Sequence, residues 1–221
     1  MKLEGAEIDF LGHAGFVVKF KNKTVVIDPY HVSESVPKGD ILLITHSHSD
    51  HCSIKDIQKL SRKGTIVLCP VDCQSTLMKV KNIDIHIVEK DDVLDFGNFK
   101  IECIPAYTNN PRHSASEGWL GYLLKFGKTI IYFAGDTDNI PEIRHLSGYG
   151  KKGNNFITVL PVAGGVVMDA LSAANVASLL NSSLAIPMSY GSGLYGTIDD
   201  AKRFVELCNQ KGVRAEILNK V

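Results

Sequence analysis

Short apolar blocks separated by polar turn residues run the length of the chain, and their period predicts the elements. Segments 8–11, 16–20 and 24–27 read as strands, the last two joined by a turn at Lys21-Asn22-Lys23. The unbroken run 41–45 reads as a buried strand. Ser53 is placed to cap a helix to about Leu60, with Ile54, Ile57 and Leu60 on one face. A strand at 65–68, a short helix after Asp72, and strands at 85–88, 93–96 and 99–104 follow. A second hairpin, 119–126 with 128–133, turns at Gly127. The pattern then predicts a strand at 157–161, a helix capped by Asp169 to about Leu180, a short strand at 185–186, and a helix from Thr197 to about Asn209.

The two hairpins echo one another. Gly15-Phe-Val-Val-Lys-Phe with Lys23-Thr-Val-Val-Ile-Asp28 resembles Gly121-Tyr-Leu-Leu-Lys-Phe with Lys128-Thr-Ile-Ile-Tyr-Phe-Ala-Gly-Asp136. Each copy is a hairpin ending in an aspartate, then a buried strand, then a helix. Two such units predict an α/β architecture, a four-layer αββα sandwich of two mixed sheets with outer helices. Loops at one edge would meet in a cleft. No low-complexity linker interrupts 1–221, so a single domain is expected.

Composition narrows the partners. At 221 residues, 44% hydrophobic and 22% charged with formal charge zero, the chain reads as an ordinary globule. No basic stripe supports nucleic-acid or membrane-surface binding. No run of about 18 apolar residues could span a bilayer. Met1-Lys2-Leu3-Glu4-Gly5 lacks a signal-peptide pattern, so a cytoplasmic location is expected. Cys52, Cys69, Cys73, Cys103 and Cys208 read as reduced, buried thiols.

The chemistry concentrates in Thr45-His46-Ser47-His48-Ser49-Asp50-His51, at the mouth of the 41–45 strand. Imidazoles and carboxylates are the side chains that hold divalent ions at neutral pH. His46 and His48, two apart in extended chain, point the same way. Asp50 and His51 follow as the chain turns into the helix, so one loop can serve two neighbouring ions. Asp136, behind Gly135, suits a carboxylate bridging them.

On these residues the chain resembles the metallo-β-lactamase superfamily of metal-dependent hydrolases. Within it the chain is similar to the branch containing ascorbate-6-phosphate lactonase. Supporting motifs are Leu11-Gly12-His13-Ala14-Gly15-Phe16, Asp28-Pro29-Tyr30, Ile104-Pro105-Ala106-Tyr107, Leu160-Pro161-Val162-Ala163-Gly164-Gly165 and Ile186-Pro187-Met188-Ser189-Tyr190-Gly191. The resemblance covers nearly the whole chain and implies the same αββα sandwich.

It also implies one or two divalent ions, zinc first and manganese or iron next. His46, His48, Asp50, His51 and Asp136 are the expected ligands, and Asp50 also orients and deprotonates the attacking water. Two departures stand out. The family's mid-chain histidine is missing from Ala106-Tyr107-Thr108-Asn109-Asn110, leaving His113 as substitute ligand or as an exposed loop residue. Ser189 stands where the family carries a last ligand histidine, which leaves the second ion Asp50, His51 and Asp136 alone. Asp28 is expected to hold a ligand histidine by its far nitrogen. His13, Tyr107 and Ser189 are expected behind the ligands or against substrate. Arg112 and Tyr107 could meet an anionic substrate, against a solvated charge and a packed ring. Histidine at position 48, where the di-iron redox branch carries glutamate, argues against oxygen reduction. The resulting expectation is hydrolysis of a small ester, lactone or phosphodiester. The alternative is a non-catalytic descendant that binds metal or ligand. Oligomeric state is left open.

Overall fold

Alternation along each strand sends successive side chains to opposite faces, and that rule builds the layers. The computed structural model describes residues 1–151 and 153–221. Strands β1 (Lys2–Leu3), β2 (Ala6–Gly12), β3 (Gly15–Phe20), β4 (Lys23–Ile27), β5 (Ile41–Leu43), β6 (Thr65–Cys69) and β7 (Ile83–Ile87) form one sheet in sequential order. The second sheet has β8 (Val93–Asp95), β9 (Lys100–Pro105), β10 (Leu120–Phe126), β11 (Thr129–Phe133), β12 (Asn155–Pro161) and β13 (Leu184–Met188), in the order β13-β12-β11-β10-β9-β8. Each sheet is mixed. In the first, β3 and β4 pair antiparallel and β5 joins β4 in parallel. In the second, β10 and β11 pair antiparallel and β12 joins β11 in parallel. The echo in sequence is thus an echo in topology.

Ile41 and Leu43 of β5 join the core between the sheets, whereas Leu42 and Ile44 join a second cluster with Ile57, Leu60 and Leu77. Those last three come from α1 (Ile54–Leu60) and α2 (Gln74–Leu77), which therefore cover the outer face of the first sheet. Phe16 against Phe133 (5.5 Å) and Phe20 against Phe126 (4.8 Å) join the sheets through the middle. After α3 (Ser147–Lys151), α4 (Ala170–Leu179) and α5 (Ile198–Gln210) pack on each other and on β12 and β13. The predicted caps are in place: Ser53 accepts from Asp56 N, Asp169 from Ser172 N, and Thr197 forms a reciprocal box with Asp200.

Differences from the sequence reading have local causes. The strand expected to reach Thr45 stops at Leu43, because Thr45 N leaves the ladder to bond Asp28 Oδ1 at 2.9 Å. The short strand at 185–186 extends to Leu184–Met188, and an edge position tolerates Pro187. The short helix expected after Asp72 is α2, and Asp72 itself lies in the 3-10 turn Val71–Cys73 that leads into it. β1, α3 and the 3-10 turns Pro111–His113, Ala115–Glu117 and Pro141–Leu146 are too short to leave a period in the sequence. No helix among the described residues is long and apolar enough to cross a membrane.

Candidate metal centre

Strand β5 ends at the same edge as β4 and β11, and the chain there curls into the histidine loop. His51 N and Cys52 N both bond His48 O, at 2.9 and 2.7 Å, which folds the loop back on itself before Ser53 starts α1. The His46 and His48 rings lie 4.7 Å apart and those of His46 and His51 4.1 Å apart. His46, His48 and Asp136 each offer a ligand atom within 4.8 Å of the others, and so do His13, Asp50 and His51.

Asp136 stands between the two groups. Its Oδ2 lies 3.8 Å from both His46 Nε2 and His113 Nδ1, and its Oδ1 lies 3.5 Å from His51 Nε2. Gly135 brings it there in a left-handed conformation (φ 67°), where a Cβ would meet Leu120 O at 2.8 Å. Three non-glycine residues at the same edge, His13, Asp28 and Ser189, are also left-handed (φ 56°, 40° and 61°). Such conformations cost non-glycine residues about 1–2 kcal/mol each and collect at functional sites.

The hydrogen bonds set the tautomers. Thr45 Oγ1 gives its single proton to Asp28 Oδ2 at 2.6 Å, a carboxylate oxygen that can only accept. His46 Nδ1, 2.9 Å from Thr45 Oγ1, must therefore donate, which frees its Nε2 lone pair for the cluster. His51 Nδ1 donates to Asp28 Oδ2 at 2.8 Å, so its Nε2 also faces inward. His46 Nε2 and His113 Nδ1 are buried with no hydrogen-bond partner among the described residues. Two buried imidazole nitrogens directed at one carboxylate oxygen, all beyond hydrogen-bonding reach, fit an ion's ligands.

Electrostatics agree with that fit. Burial, then the neighbouring imidazoles, hold the His46 pKa well below its ordinary value, leaving a neutral ring. Burial also lowers that of His113, partly opposed by Asp136. Burial would raise the Asp50 pKa, but the hydrogen bond from His13 Nε2 (2.9 Å) and the charge of His51 hold it at about 2. For His51 burial disfavours the charge, yet Asp136, Asp28 and Asp50 outweigh it and raise the pKa to about 9.

Several placements depart from expectation. His113 is buried at 4% exposure, which excludes the exposed-loop reading. His13, expected behind the ligands or against substrate, joins Asp50 and His51 directly, so that group has three members before Asp136 is counted. The polypeptide carries it there through an isolated bridge to Tyr190, with Ser189 N bonding His13 O at 2.8 Å. Ser189 Oγ is buried without a partner among the described residues. Tyr107 turns its hydroxyl to Glu142 at 2.9 Å and lines a separate cavity. Arg112 lines the cavity of about 300 Å³ over the cluster, with His48, Ser49, Asp50, His113, Val166 and Tyr195.

Trp119 and Asp72, which the sequence did not single out, also belong here. Trp119 lies 4.3 Å from His46, 4.8 Å from His48 and 4.9 Å from His113 between ring centroids. It is the chain's only tryptophan and stands immediately before β10. That position, at the sheet edge carrying Asp136, was the available signal.

Residues 7–189 match the family described as beta-lactamase superfamily domain. A UPF0173 metal-dependent hydrolase of Nanoarchaeum equitans is 27% identical over 219 residues, covering 97% of each chain. Another, of Koribacter versatilis, is 29% identical over 227 residues and covers 95% of each. Among solved structures, a protein provisionally named a metal-dependent hydrolase from Parabacteroides distasonis superposes with TM-score 0.81 at 26% identity. That match covers 97% of this chain and 94% of the other. The topology, the facing ligand groups and the length of the match lead to one assignment: the chain belongs to the beta-lactamase superfamily, alongside the UPF0173 metal-dependent hydrolases.

Proposed function

We propose that the chain hydrolyses a small anionic ester, lactone or phosphodiester at a two-ion centre. His46, His48, His113 and Asp136 would hold one divalent ion, and His13, Asp50 and His51, together with Asp136, would hold the other. Zinc is the first candidate because imidazole and carboxylate ligands suit it, with manganese or iron next. The chemistry an ion would supply there is a bound water with its pKa lowered to about 7 and a polarised carbonyl or phosphoryl oxygen. The observation that carries this reading is Asp136 between two imidazole groups, with His46 Nε2 and His113 Nδ1 buried and unpaired.

The chain's own residues then divide the work. Asp28 and Thr45 keep the His46 and His51 Nδ1 protons in place, so each ring offers Nε2 to the site. Asp50, ionised and facing the cavity, accepts the hydrogen bond that orients the attacking water. Arg112, at the cavity wall, meets the substrate's anionic group. A cavity of about 300 Å³ suits a small molecule. A reducing, cytoplasmic setting suits five free cysteines.

The non-catalytic alternative drew its support from Ser189 as a lost ligand. His13, grouped with Asp50 and His51, brings a further imidazole to that side of the site and speaks against that alternative. The test is elemental analysis joined to turnover of bis(4-nitrophenyl) phosphate and a lactone panel after zinc, manganese or iron loading. About two ions per chain with hydrolysis of one substrate class is the expected result. Tight metal uptake with no turnover under any ion would favour a binding protein.

A further inference from the structure

The direction of an imidazole lone pair depends on its ring plane, and rotation about the ring torsion is soft. Three of the candidate ligands owe part of that plane to one neighbour. Trp119, 5% exposed, lies nearly parallel to His46 (29°) and meets the rings of His48 and His113 edge-on (74° each). Turning any of these rings would drive it into the indole. The indole is itself held. Its Nε1 donates to Asp72 Oδ2 at 2.8 Å, and Ala106 N bonds Trp119 O at 2.9 Å. Asp72 Oδ2 also accepts from Ser47 N at 3.3 Å, between His46 and His48 in the loop. Asp72 reaches this place because β6 runs parallel to β5, so the turns after both strands leave the same edge. One carboxylate of the first sheet thus ties down both the histidine loop and a ring from the second.

We infer that Trp119 and Asp72 are positioning residues for the His46/His48/His113 ion, the indole setting three ring planes and the carboxylate setting the indole and the loop. This rests on the reading that those imidazoles hold an ion. Residues that orient metal ligands from behind typically change affinity ten- to hundredfold when removed.

The single tryptophan makes the test direct, since intrinsic emission reports this ring alone. Zinc added to metal-free protein is expected to change Trp119 emission in step with uptake at this site. In competition with a chromophoric chelator, Trp119→Leu should weaken zinc binding by about ten- to hundredfold. Trp119→Phe keeps a flat ring and should recover most of the loss. Asp72→Ala should weaken zinc binding and lower the emission anisotropy of Trp119, with far-UV circular dichroism unchanged. Zinc binding as tight in folded Trp119→Leu and Asp72→Ala as in the wild type would overturn the inference, as would equal loss in the Leu and Phe variants. Should Trp119→Leu fail to fold, Trp119→Phe and Asp72→Ala decide: tight binding by the first and weak binding by the second supports the inference, and unchanged binding by Asp72→Ala sinks it. A wild type that takes up no zinc overturns the ion reading itself. Uptake that is equal across all variants overturns the positioning role alone.

Discussion

Asp28 shows how one carboxylate can organise a site without facing it. It accepts from Thr45 N, Thr45 Oγ1 and His51 Nδ1, and through Thr45 it also fixes His46. Asp28→Asn offers Thr45 and His51 an amide where a carboxylate is needed, and zinc affinity should fall about ten- to hundredfold. Chelator competition measures this, and unchanged affinity would refute the tautomer argument. His51 supplies a pH signature. Its pKa rises from 6.5 to about 9 in the metal-free fold. The stabilisation from its charge is therefore complete below pH 6.5 and fades as pH climbs through about 9. A ligand imidazole must be neutral, so zinc uptake at pH 7.5 should expel at least one proton per chain. Calorimetry in two buffers of different ionisation heat counts it, and zero release would remove His51 from the ligand set. The His51 position was legible from spacing; its charge was not, because Asp28, Asp136 and Asp50 reach it from separate parts of the chain.

Helix α1 is short, and its first turn does more than start a helix. Asp56, buried, accepts from Ser53 Oγ (2.7 Å), from His31 N (3.0 Å) and from Val32 N (3.1 Å). It ties the segment after Asp28 to the helix that follows His51, so both ends of the Asp28–His51 bond share one anchor. Asp56→Ala would strand the buried Val32 N–H, while water can replace the carboxylate at the exposed His31 N–H, and should cost about 1–3 kcal/mol, the range for one buried group left unpaired. Urea unfolding would register it as a lower midpoint with an unchanged slope. A loss under about 0.5 kcal/mol, typical of a surface change, would count against the anchoring role. The cap at Ser53 was readable in the sequence, since a small hydroxyl before an apolar period marks a helix start. The tie to His31 and Val32 was not, because 25 and 24 residues, respectively, separate them from Asp56.

At the scale of the molecule, the two sheets press a continuous core between them, a second cluster lies under α1 and α2, and the thiols take their character from this burial. All five cysteines are free and buried. Burial pushes the Cys103 and Cys208 thiols up to about 12, far from the reactive thiolate. Ellman's reagent should therefore find none of the five in the native protein within minutes and all five after denaturation. A rapidly reacting native thiol would mean that the packing around it opens readily, in the cluster under α1 and α2 for Cys52, Cys69 and Cys73 or in the main core for Cys103 and Cys208.

Short-range pattern determined the elements, the paired sheets and the histidine loop, because period, caps and hairpin turns act over a few residues. It also located Asp136, since the hairpin echo put an aspartate at the same point in each half. The convergence itself was decided by tertiary structure. His13 meets Asp50 across 37 positions because the chain after β2 bridges to Tyr190 of the other half. His113 is buried, not exposed, because its 3-10 turn lies under Trp119 and against Asp136. Residue spacing says what is adjacent along the chain; strand register and sheet packing say which distant groups share a cavity, and the cavity sets their protons.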